Sequence, residues 1–348
     1  MTEEKQISAD EIALYDRQIR LWGVAAQTRM SLARVLLIEV GALANEIAKN
    51  LVLAGIGSLT VLDDSVVSEL DLGAQFFIEQ SDVGSNRAEA ALPRIQKLNP
   101  RVSVKADSSG YREKTKEYYA QFDIVIATEL SLDNFISINN ICRELKLPFY
   151  AGGLVGLYGF IFLDLISHTY TIEREKSNIT PKIGPETATR SLVSVAYSKT
   201  DSKQSMETVT KNESYKPLSE SINSKALSSL RPRQQLRVSP VLPALKAMWQ
   251  FEKLSGAFKS ISPEELVTFT TLVQNCTRDL GLPIGILSDA FLSSYSRSIG
   301  AELSPVAAIL GGILAQDVLN LLSQKEQPIQ NWVIFDGDSS TAAIYCLQ

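Results

Sequence analysis

The chain has 348 residues, with 34 Lys and Arg against 39 Asp and Glu, one His and three Cys. A net charge of −5 argues against a general binder of nucleic-acid backbone, and a hydrophobic fraction of 45% predicts a real core in two structural units or one enlarged α/β domain. Cys142, Cys276 and Cys346 form no CxxC pair, which argues against a zinc site and against a disulfide framework.

Met1 to Asp10 is polar and acidic, so no secretory leader is expected. From Glu11 to Ala33, apolar residues at Ile12, Leu14, Ile19, Leu21 and Trp22 predict a helix, then a second one after Gly23. Arg34 to Val40 reads as a buried parallel strand, Gly41 to Ala44 as a turn, and Asn45 to Ala54 as a helix stopped by Gly55-Ile-Gly57. Ser58 to Leu62 is a second strand ending at Asp63-Asp64, which completes a βαβ unit. The alternation continues through a helix at Val83 to Leu98, strands at Val102 to Val104 and Phe122 to Ala127, and a helix at Asp133 to Leu145. The uncharged run Leu147 to Leu163 is broken by glycines and reads as a buried strand pair, not a membrane span. Together these predict a doubly wound, Rossmann-like, mostly parallel sheet in a soluble intracellular protein.

Beyond residue 165 the character changes. Tyr197 to Ser229 is rich in Ser, Thr, Lys, Asn and Glu, has no apolar period, and predicts a flexible loop. Val241 to Leu254 and Pro263 to Leu280 predict a helical insertion. Pro305 to Leu322 is strongly apolar, with Gly311-Gly312 permitting close approach, and Trp332 to Tyr345 predicts a closing hairpin. We divide the chain into a Rossmann-like region (1–165), a loop with helical insertion (166–300), and a C-terminal helix and strands (301–348).

The first chemical candidate is the glycine turn. A GxGxxG turn lets backbone approach phosphate at a helix N-terminus, but its three positions here are Glu39, Gly41 and Ala44. A carboxylate at the first position would repel a polyphosphate, so we read the turn as degenerate and free of nucleotide. Asp63 stands where a ribose-binding acid is expected, about twenty residues past the turn. The lone His168 has no nucleophile elbow to serve and reads as a polar residue closing a strand.

The string Tyr15-Asp16-Arg17-Gln18-Ile19-Arg20-Leu21-Trp22-Gly23 closely resembles the N-terminal signature of the ubiquitin-like-protein activating enzymes and their bacterial MoeB/ThiF relatives. The likeness extends through Ile47 to Gly55, Gln75 to Phe77, Asp82 to Gly84, Ser304 to Gln316 and Phe335 to Gly337, covering roughly 11–165 and 300–348. In that family two homologous halves pair and one holds ATP. The family's ATP-site asparagine and arginine fall here on Asp71 and Ala74, its phosphate-contacting lysine on Arg87, and its magnesium-binding aspartate on Leu130, with Glu129 and Asp133 nearby. The resemblance therefore implies the half that does not adenylate: ATP and Mg bound by the partner subunit, and no cofactor or metal held by this chain.

The resemblance also implies that Arg17 reaches in trans toward the partner's ATP. Read without it, Arg17 and Arg20 would pair with Asp16 and Glu11, and Arg20 stays open between the two roles. Cys276 lies in the insertion where larger halves carry a thioester cysteine, but no His or Pro-Cys turn activates it, and we read it as structural, like Cys142 and Cys346. The short insertion makes the chain most similar to the small, Aos-type halves of SUMO-activating enzymes. That implies a Uba-type catalytic partner, with SUMO and its conjugating enzyme reached through the complex, no nucleic acid or membrane partner, and a nuclear location with the cytoplasm as second compartment. Arg231, Arg233 and Arg237 are too scattered for a nuclear address. Pro305 to Leu322 packs either beneath the partner's site or wholly within this chain's core. A self-sufficient MoeB-like adenylyltransferase and a Rossmann oxidoreductase remain as alternatives.

Overall fold

The structure is a computed structural model that describes residues 8–178, 181–199, 205–256 and 260–348. Apolar runs supply the strands β1 (Arg34–Ile38), β2 (Ser58–Leu62), β3 (Ser103–Asp107), β4 (Ile124–Thr128), β5 (Phe149–Val155) and β6 (Tyr158–Asp164). A second group is β7 (Ser167–Glu175), β8 (Gly184–Pro185), β9 (Arg190–Lys199) and β10 (Ser205–Ser214), and the chain closes with β11 (Trp332–Asp336) and β12 (Thr341–Tyr345). Eight strands form one sheet in the order β12-β11-β6-β5-β4-β1-β2-β3. The run β3-β2-β1-β4-β5 is parallel, and β6, β11 and β12 add antiparallel strands at one side. This is the doubly wound, Rossmann-like α/β fold, with β4, β5 and β6 buried along their whole length.

Helices cover both faces. On one, the helix Ala42–Ala54 packs against the 20-residue helix Ser304–Ser323, around Ile47, Leu51, Leu310, Leu314 and Val318. On the other, Leu132–Leu145, Val241–Ser255, Glu265–Asp279 and Asp289–Ser298 surround Phe135, Phe160, Trp249, Phe269 and Tyr295. Ser304–Ser323 has the length and composition to cross a membrane, yet Arg29 donates to its last carbonyls at Leu322 and Ser323, and one side is core. Gly311 faces Glu46 closely, whereas Gly312 faces open space beside exposed Ile309.

The flexible loop expected at Tyr197 to Ser229 is corrected. Residues 200–204 of that span lie outside the described residues. On either side of them, β9 and β10 pair antiparallel within a four-stranded sheet ordered β7-β10-β9-β8. Hydropathy misses β10 because two of its three buried side chains are glutamates. Glu207 meets Arg174 at 2.7 Å and Glu213 meets Arg190 at 2.6 Å, while Val209 supplies the apolar contact. After β10 come the short helices Leu218–Ser221 and Pro232–Gln235. The helix expected from Val83 starts instead at Arg87, because the Asn86 side chain accepts the Glu89 N–H and caps it. The N-terminal segment divides into three helices, Ala9–Leu14, Asp16–Trp22 and Val24–Leu32.

Candidate functional site

The turn after β1 is where the parallel strands end and the helix Ala42–Ala54 begins, the place where a doubly wound sheet binds its ligand. Glu39 adopts φ +64, a left-handed conformation that a glycine would take freely. Its carbonyl accepts from the Thr128 hydroxyl at 3.0 Å and its N–H donates to the Leu62 carbonyl at 2.9 Å, so the strained residue is held from both sides. Asp63 is buried, and its two oxygens accept the Ser65 N–H at 2.7 Å and the Val40 N–H at 2.8 Å, with Arg87 at 3.4 Å. Asp63 therefore fastens the turn, and its burial keeps it away from a ribose. The Arg87 cation beside buried Asp63 argues against a metal in the cluster that Glu39, Asp63 and Asp64 form within 4.8 Å. Ala44 is fully buried at the helix–sheet contact, the packing role of the third glycine.

At the phosphate position itself stands a carboxylate of this chain. Glu302, from the segment before Ser304–Ser323, accepts the Ala42 N–H at 3.2 and 3.3 Å with its two oxygens. Ala42 opens the helix, so Glu302 takes the dipole-favoured anion position that a phosphate would otherwise occupy. A Cβ on Gly41 would overlap the Glu302 carboxylate and touch Glu129. Glu129, itself at φ +56, is held by the Leu154 N–H at 2.8 Å. Burial, reinforced by Glu302, holds the Glu129 carboxyl well above the usual range, and burial raises Glu302 too. Burial and then Asp63 push Glu39 up to about 7.

These acids line a cleft of about 680 Å³ whose walls include Trp249, Phe135 and Phe160. A polyphosphate entering it would find the Ala42 N–H already taken, and any of these carboxyls that ionised beside it would cost about 4 kcal/mol at 4 Å for an effective dielectric near 20. Arg87, at the lysine position of the family pattern, is already paired with Asp63 and with Asp71 at 3.5 Å. Leu130, at the aspartate position, is a buried apolar side chain. Neither an ATP site nor a magnesium site fits these residues. Sequence reading singled out Glu39, Gly41, Ala44 and Asp63 and missed Glu302, which lies 260 residues from its partner Ala42.

Arg17 is far from that cleft in role. It is exposed on the helix Asp16–Trp22, and among the described residues no side chain pairs with it. Arg20 pairs with Asp16 at 2.9 Å, both exposed, an ion pair of small energetic weight. Beside Arg17, Ile12, Leu14 and Leu21 are exposed apolar side chains, as are Leu303 and Ile309 at the start of Ser304–Ser323.

The three thiols differ. Cys276 is fully buried, donates to the Gln250 side-chain oxygen at 3.3 Å, and is pushed up to about 11 by burial, which removes nucleophilic thiolate. Cys142 is buried as well, whereas Cys346 is exposed just past β12 and is no part of a core. His168 lies buried in β7 and is lowered to about 4 by burial, so it stays neutral.

A model of the ThiF family matches residues 15–345. Among curated proteins, DNA damage tolerance protein RHC31 of Saccharomyces cerevisiae is 40% identical over 336 residues, covering 96% of each chain. DNA damage tolerance protein rad31 of Schizosaccharomyces pombe is 37% identical over 98% of each chain. SUMO-activating enzyme subunit 1 of Homo sapiens is 35% identical over 98% of this chain and 96% of its own. Among solved structures, Escherichia coli MccB with succinimide superposes at a TM-score of 0.53 and 13% identity, over 96% of this chain and 71% of that one, a likeness of fold alone.

Proposed function

The chain belongs to the ThiF family, and from that premise we propose that it is the subunit 1 half of a SUMO-activating enzyme, the half that does not itself adenylate. The full-length likeness to SUMO-activating enzyme subunit 1 supports the first part. A single observation carries the second: Glu302 occupies the N–H of Ala42 where a phosphate would bind. A partner subunit binds ATP and Mg, joins the SUMO C-terminus to AMP with release of pyrophosphate, and then takes the acyl group onto its own cysteine with release of AMP. This chain supplies Arg17 across the interface, a planar donor fork that can stabilise charge developing at the phosphates. It also supplies apolar surface. Asp16–Trp22 packs on Val24–Leu32, which packs on Ser304–Ser323, so the exposed apolar residues around Arg17 and at Ile309 belong to one connected group of helices.

A self-sufficient adenylyltransferase and a Rossmann oxidoreductase both need an open turn. Here Glu302 takes the Ala42 N–H that a phosphate would use, and Glu39 and Glu129 line the same cleft. The test is SUMO-dependent ATP–pyrophosphate exchange by this chain, by its partner, and by the two together. Exchange is expected only in the mixture, and Arg17→Ala should lower it by roughly 10² or more while the complex stays assembled. Exchange by this chain alone would overturn the reading.

A further inference from the structure

The segment that carries Arg17 is tied to the body of the protein at few points. Neither Ala9–Leu14 nor Asp16–Trp22 contains a buried residue. Between them Tyr15 is 6% exposed, and Trp22 is partly buried at the far end. Tyr15 closes the first helix and opens the second, so the start of the Arg17 helix is fixed where this ring is fixed.

Two features fix it. The ring stands over Gly55, whose φ of +80 ends the helix Ala42–Ala54 and where a Cβ would overlap the Tyr15 hydroxyl. The hydroxyl accepts from Asn99 Nδ2 at 2.8 Å. Asn99 is itself buried and both its side-chain N–H groups are used: Nδ2 also donates to the Val52 carbonyl at 2.9 Å, and Oδ1 accepts the Arg101 N–H at 3.1 Å. Asn99 thus joins three elements through one amide, and the only one of them outside the central fold is the segment of Tyr15. Arg17 follows two residues later, about 3 Å along the helix axis, exposed and without a partner among the described residues.

We propose that Tyr15 and Asn99 form a latch that sets where the Arg17 guanidinium stands, which makes them positioning residues for the adenylation carried out in the partner subunit. This rests on the in-trans reading of Arg17. The sense of it is geometric: an arginine presented from an otherwise shallowly held helix must arrive at phosphate oxygens within hydrogen-bond range, and a displacement of about 1 Å can cost about 10²-fold in rate. The hydroxyl of Tyr15 is not required to bury its ring. Its loss leaves one Asn99 N–H without a partner and frees the ring to shift over Gly55.

The test uses the assembled heterodimer and SUMO-dependent pyrophosphate exchange, with Tyr15→Phe and Asn99→Ala each made alone and together with Arg17→Ala. Tyr15→Phe should lower kcat about tenfold with KM for SUMO and subunit affinity unchanged, and should change it less than about twofold once Arg17 is already alanine. Tyr15→Phe keeps the ring and decides the matter if Asn99→Ala fails to fold. Equal losses in both backgrounds would mean that the pair acts by general stability, and would overturn the latch. So would full activity of Tyr15→Phe beside a disabled Arg17→Ala, a result that leaves Arg17 in its role. Full activity of Arg17→Ala would instead remove the reading on which the latch depends.

Discussion

Two separate costs meet at Glu39, and two substitutions divide them. The backbone is left-handed at φ +64, which costs a residue with a Cβ about 1 kcal/mol relative to glycine. The carboxyl is pushed from 4.5 up to about 7, first by burial and then by Asp63, with Arg87 opposing. Because the folded pKa is raised, the stability that this group lends is complete below about 4.5 and is lost as pH rises through about 7. At about 1.4 kcal/mol per tenfold, ionisation would cost the fold roughly 3 kcal/mol, and partial solvent contact of the side chain reduces that to about 2. Glu39→Gln keeps the backbone strain and removes the charge, so it should match the parent near about pH 4.5 and gain about 2 kcal/mol near about pH 8.5. Glu39→Gly should add about 1 kcal/mol to that at both values. Urea midpoints of the chain at the two pH values measure both. A Gln variant no more stable than the parent at the higher pH, or a Gly variant less stable than the Gln variant, would refute this account of the turn.

Adjacent glycines in Ser304–Ser323 should respond in opposite directions. A Cβ at Gly311 would stand 2.5 Å from Glu46 Cβ, so Gly311→Ala should destabilise by about 1–3 kcal/mol. A Cβ at Gly312 would meet nothing within 4 Å among the described residues, and Gly312→Ala should be neutral or stabilise by up to about 1 kcal/mol; thermal melting of the two variants compares them. Asp317 on the same helix is buried, accepts from the Tyr150 hydroxyl and the Ile329 N–H, and is pushed by burial from 3.8 to about 7. Its favourable contribution is therefore complete below 3.8 and lost as pH rises through about 7. Asp317→Asn should melt higher than the parent near about pH 8.5 and so flatten the pH profile; an unchanged profile would remove Asp317 as its source.

The central sheet is legible because its chemistry is local. Runs such as Val35 to Ile38 and Ile124 to Ala127 are buried on both faces, and Gly55, which ends the helix after the first of them, lies in the same stretch of chain. The small sheet is not legible by hydropathy, since Glu207 and Glu213 point inward and are neutralised by arginines on neighbouring strands. The turn was readable as damaged from Glu39 alone. What fills it was not: Glu302 and Glu129 come from remote segments, and no local pattern marks a carboxylate that caps a distant helix. The one sequence signal was Ala74 where the family pattern has Arg; the lysine position keeps a basic residue, Arg87, which the fold pairs with Asp63. Arg17 was legible only through its nine-residue context, because an exposed arginine on a short helix has no distinguishing property of its own.

We propose that this half of the enzyme carries no nucleotide, because Glu302 takes the Ala42 N–H. Equilibrium binding of ATP to the isolated chain and to the assembled heterodimer tests it directly. The expected result is no binding to the chain alone and a single nucleotide per heterodimer. Saturable binding to the isolated chain, or two nucleotides per heterodimer, would contradict it.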